Sequence, residues 1–105
     1  MTDSATLFAD NEMRRRPDEA TAVRKIIRAL KKAGNPVVQV WYDHTGGERV
    51  DTLTEKAIML EVFNLDEAWL ITKDGDWVFI VMGEDPTEMP TDYSLSLDGI
   101  LGGGL

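Results

Sequence analysis

The chain has one histidine, His44, in the stretch "DHTGGERVD", directly after Asp43 and shortly before Glu48 and Asp51. A histidine oriented by a carboxylate is the smallest unit that could act as a general base, so a small hydrolytic or metal-dependent enzyme around His44 is one reading. Asp43, Glu48 and Asp51 are also hard oxygen donors of the kind that hold a divalent cation. Neither signal is specific. Neighbouring residues of an extended segment point to opposite sides, so Asp43 is not automatically the partner of His44, and the spacing matches no calcium loop. The expectation is a solvated turn histidine, with no catalytic residue, no metal site and no cofactor.

Other chemistry is thinner still. The chain contains no cysteine, which removes disulfides, thiolate metal ligands and thiol nucleophiles together. "TGGER" lacks the lysine and the following hydroxyl of a phosphate-binding loop, and the terminal "GGGL" is followed by no helix. No Gly-x-Ser-x-Gly elbow occurs.

The remaining candidates are binding surfaces. Arg14, Arg15, Arg16, Arg24, Arg28 and Lys31 form a basic run that could meet phosphates, which makes nucleic-acid binding through the first helix a second reading. Against it stands the charge elsewhere. Up to Asn35 there are eight bases and five acids; from Pro36 onward there are three bases and fourteen acids, and the whole chain carries −8. Such an excess favours solubility and the attraction of basic partners over polyanions.

The elements that must position these residues begin with a helix over about 17–33. Pro17 suits a first helical position, Asp18 and Glu19 complement the positive end of the dipole, and Gly34 can supply a left-handed terminus. Ala20, Val23, Ile26, Ile27, Leu30 and Ala33 make its apolar stripe. "VVQVWYD" is a strand by its β-branched and aromatic content, and Arg49 to Asp51 can complete a first hairpin. Thr52 with Glu55 is a capping-box pattern that opens a second helix over about 53–63. The apolar residues of that helix wrap nearly all round it, which implies burial on several sides.

"EAWLITKDGDWVFIVMG" reads as a central hairpin over 67–82, turning at Asp74-Gly75 in a two-residue type I′ turn. With that turn Thr72 opposes Trp77 and each step outward follows. One face then carries Ala68, Leu70, Thr72, Trp77, Phe79 and Val81, and the other carries Trp69, Ile71, Val78, Ile80 and Met82. Both are apolar, so the hairpin needs cover on two sides.

The expected fold is α+β, a small antiparallel sheet packed with two helices. Residues 1–13 are expected as a flexible arm, 14–83 as the single domain, and 84–105 as an acidic tail ending in glycines. No run has signal-peptide or membrane-span length, so a soluble, cytoplasmic protein is expected.

Missing chemistry, the acid excess and a two-faced hairpin together point to a non-catalytic protein-binding module, of inhibitor, adaptor or immunity type. Its partner-binding residues are expected to be Trp69, Ile71, Val78 and Ile80, with Glu84, Asp85, Glu88 and Asp92 from the tail. The partner is another protein, basic in character, or a second copy of the chain.

Overall fold

The computed structural model describes residues 4–47, 49–52, 54–83 and 90–94. Over these residues the fold is α+β, with three helices and one five-stranded antiparallel sheet. In chain order these are α1 (Ser4–Arg15), α2 (Pro17–Lys32), β1 (Val37–Trp41), β2 (Arg49–Asp51), α3 (Glu55–Val62), β3 (Glu67–Thr72), β4 (Trp77–Val81) and β5 (Pro90–Tyr93). The strands lie in the order β2-β1-β3-β4-β5.

α2 follows its signals closely. Pro17 opens it, and the N–H groups of Gly34 and Asn35 close it on the carbonyls of Lys31 and Leu30, with Gly34 at φ +78°. That paired closure is the Schellman arrangement, which needs a residue free to adopt positive φ. α3 starts one turn-residue pair later than expected. Thr54, not Thr52, caps it, its hydroxyl accepting the Ala57 N–H at 3.1 Å. Thr52 is instead buried behind the sheet edge, its backbone N–H bonded to the Val38 carbonyl.

The segment expected as a flexible arm is helical from Ser4, and Ala9 within it is fully buried. α1 packs over both α2 and α3, which explains why α3 is apolar on nearly every side. Ile58, Met59, Val62 and Phe63 are buried, and Met13 of α1 and Leu60 of α3 pack at the margin of the same cluster.

The central hairpin does not use a two-residue turn. Thr72 and Asp76 exchange the closing contacts, so the loop is Lys73-Asp74-Gly75 and Gly75 takes φ +86°. This is a type I turn followed by a left-handed residue, the usual three-residue solution. Ile71 therefore opposes Trp77, Leu70 opposes Val78 and Trp69 opposes Phe79. A one-residue offset carries every side chain of one strand to the other face relative to its partner.

The expected face assignment of β4 is corrected accordingly. Val78 and Ile80 are fully buried with Ala68, Leu70 and Thr72 in the core, while Trp77 and Phe79 join Trp69 and Ile71 on the opposite face. A bulge in β1 after Val37 has a similar effect: Val37 and Val40 both turn inward, and Gln39 and Trp41 turn out. All the helix residues of the core pack against that one inner face. Among the described residues, no helix covers the other.

Candidate functional site

The outer face collects all three tryptophans of the chain. Across the strands run two rows: Arg49, Trp41, Trp69, Phe79 and Asp92 in one, and Asp51, Gln39, Ile71 and Trp77 in the other. The aromatic members are half-buried, and Asp92 and Asp51 are exposed at the two edges.

Trp41 is fixed from two sides. Its indole Nε1 donates to Gln39 Oε1 at 3.0 Å, and Gln39 in turn donates to Asp51 Oδ1 at 2.7 Å. The β1–β2 turn then folds back so that Gly46, at φ +71°, lies against the Trp41 ring; an added Cβ there would meet three ring atoms at 3.1 Å. The turn is itself tied by Asp43, whose carboxylate accepts both the backbone N–H and the hydroxyl of Thr45. Those hydrogen bonds from Thr45 hold the Asp43 carboxyl below its ordinary range.

Trp69 stacks on Phe79 with ring centroids 4.3 Å apart and planes 21° from parallel, and the His44 ring lies 6.4 Å from it, tilted by 53°. Trp77 is held through its backbone, its N–H donating to Ser94 Oγ at 2.8 Å and its carbonyl accepting the Ser94 N–H. Between these rings lies an open groove of about 510 Å³, lined by Trp41, His44, Trp69, Ile71, Gly75 and Trp77. A depression of that size, apolar with one or two polar groups on its wall, is of the class that takes small ligands or an anchoring side chain.

The loop at the groove's end is held from the helical layer. Asn35 is buried; its Nδ2 donates to Asp76 Oδ2 at 3.0 Å and its Oδ1 accepts the Asp74 N–H at 2.8 Å. Lys73 N–H adds a bond to the Pro36 carbonyl.

The residues singled out in the sequence are distributed as follows. Trp69 and Ile71 lie on the groove wall, Val78 and Ile80 lie in the core, and Asp92 opposes Phe79 on the outer face. Glu84, Asp85 and Glu88 lie outside the described residues, as does Glu48. His44 lines the groove, but the Asp43 carboxylate is turned to Thr45 and Asp51 to Gln39. Among the described residues no three metal-ligating side chains gather into one cluster.

Several members of the basic run are engaged with carboxylates. Arg15 and Arg16 both reach Glu12, Arg16 also approaches Glu19, and Arg28 grips Glu55 through two nitrogens at 2.6 and 3.1 Å. Arg16 further lies over the Phe63 ring at 5.3 Å. Trp41 and Trp77 are the groove residues that sequence reasoning missed. Trp77 was displaced by the assumed turn, and Trp41 faces outward because of the β1 bulge, which no residue in "VVQVW" announces.

No helix among the described residues is long and apolar enough to cross a membrane. No family model matches the chain, and neither curated proteins nor solved structures yield a match.

Proposed function

We propose that this protein is a non-catalytic binding module that takes another protein against the aromatic outer face of its sheet. The single observation that carries the reading is the position of Trp41, Trp69 and Trp77 on one sheet face that no helix covers among the described residues. Tryptophans gathered in a depression are the usual anchors of protein interfaces, because each contributes a large contact area at small conformational cost. Acids around the face attract a basic partner and speed encounter without adding much to the contact itself.

The test places a photo-activated crosslinking residue at Ile71 in one variant and at Lys25, on the helical side, in another, each expressed in the native host. The reading expects a discrete adduct from position 71, lost when Trp69→Glu is added, and none from position 25. Equal labelling from both positions, or none from 71, would remove it. Nucleic-acid binding through the basic run is the weaker reading, because Arg15, Arg16 and Arg28 already have carboxylate partners.

A further inference from the structure

We infer that the groove between Trp41, Trp69 and Trp77 is a seat for an arginine guanidinium presented by a basic partner; this rests on the binding-module reading above. Tryptophan faces carry the most negative quadrupole of any side chain, and a cation within about 6 Å of a ring centroid is drawn to them. A guanidinium is planar and weakly hydrated, so it enters an aromatic slot at a smaller desolvation penalty than an ammonium does.

Charge around the groove acts in the same direction. Gly75, at its edge, lies between Asp74 and Asp76, Asp51 stands beyond Gln39, and Asp43 precedes His44. The nearby described bases are Arg49, opposite Trp41, and Lys73 in the hairpin loop, so among the described residues acids outnumber bases around the groove. On the other layer, α2 carries Arg24, Lys25, Arg28, Lys31 and Lys32. The charge imbalance of the sequence is thus also an imbalance between layers, and a cationic partner is drawn to the sheet side.

The same charge argues against a second copy as the occupant. Two such faces would bring like-charged rims together, whereas an arginine-bearing surface meets opposite charge on approach and π-faces on arrival.

The three indole N–H resonances report the site directly. Blocked tripeptides Gly-Arg-Gly, Gly-Lys-Gly and Gly-Leu-Gly are titrated into the full chain and followed by nitrogen–proton correlation spectra. The arginine peptide is expected to shift the Trp69 and Trp77 indole signals, with the lysine peptide weaker and the leucine peptide inert. Trp77→Leu keeps apolar bulk but removes the π-face, and is expected to weaken arginine-peptide binding about tenfold, the scale of one partly desolvated cation–π contact. Asp74→Asn is expected to weaken it less and to reduce its salt dependence.

Equal shifts from the leucine peptide, or unchanged binding in a folded Trp77→Leu variant, would overturn the seat. So would a concentration-dependent doubling of mass in sedimentation that Trp69→Glu abolishes, because the face would then belong to a second copy. If the Ile71 crosslink persists while the arginine peptide fails, the binding module stands and the guanidinium seat alone falls.

Discussion

Trp69 and Phe79 face each other across β3 and β4 as a stacked pair, with centroids 4.3 Å apart, on the side of the sheet away from the helices. The stack is a consequence of loop length. Only with Lys73, Asp74 and Gly75 all in the loop do these two rings come to oppose one another.

The register predicts opposite outcomes for adjacent residues of β4. Ile80→Ala is expected to cost about 2–5 kcal/mol because it opens a cavity in a packed core. Phe79→Ala is expected to cost less, and a double-mutant cycle with Trp69→Ala should return a coupling of about 0.5–1.5 kcal/mol. Urea unfolding monitored by circular dichroism measures both. The two-residue turn would reverse the order of the single mutants.

A second prediction concerns the support of Trp41. Gly46→Ala and Gly83→Ala each force a non-glycine residue to positive φ, at +71° and +87°, which costs about 1 kcal/mol or more. At Gly83 no atom of the described residues lies within 4 Å of the added methyl, while at Gly46 the methyl meets the indole. The Gly46 variant is therefore expected to be the less stable of the two and to shift the Trp41 emission maximum to the red, with the Gly83 variant leaving it unchanged.

α1 is expected to be part of the cooperative unit. Ala9→Asp buries a carboxylate with no room to pair, at a cost of about 3 kcal/mol or more. Removal of residues 1–13 is expected to abolish a single sharp unfolding transition, because Met59, Leu60 and their neighbours lose their cover. Differential scanning calorimetry distinguishes this from an arm whose deletion leaves the transition intact.

Acid sensitivity follows from the carboxylates held by hydrogen bonds. The Arg28 guanidinium keeps the Glu55 carboxyl below its ordinary value of 4.5, and Arg15 does the same for Glu12. A carboxyl depressed in the folded state contributes stability that is present above its unfolded value and lost as pH falls through the folded one. The urea midpoint is expected to decline below pH 4.5, and Glu55→Gln should flatten part of that decline. The effect of Glu55 is small, because its pair with Arg28 is open to solvent.

Much of the architecture was legible because local signals agreed. Pro17, the apolar stripe of α2 and Gly34 specify one helix between them, and the composition of "VVQVW" and "WVFIV" specifies strands. α1 was not legible: its buried contact is carried by Ala9, a residue too small to stand out, while the conspicuous Leu7 and Phe8 are exposed. The hairpin was half legible. Asp74-Gly75 satisfies either a two-residue turn or the end of a three-residue loop, and the choice is made by the Thr72 hydroxyl accepting the Asp76 N–H and by Asn35, far away in sequence. Of the candidate site, Trp69 and Ile71 were readable from alternation alone. Trp41 and Trp77 required the bulge and the register, which are properties of pairing and not of either strand by itself.

Asn35 has a further consequence. Its own N–H closes α2 on Leu30, and its side chain holds the amide of Asp74 at the far end of the hairpin loop. Amide protons at the tip of a hairpin ordinarily exchange with solvent in the fastest class, as the strand ends fray. Here the Asp74 proton is held until the buried Asn35 amide lets go, so its exchange should follow the opening of that contact and not the fraying of the strand ends.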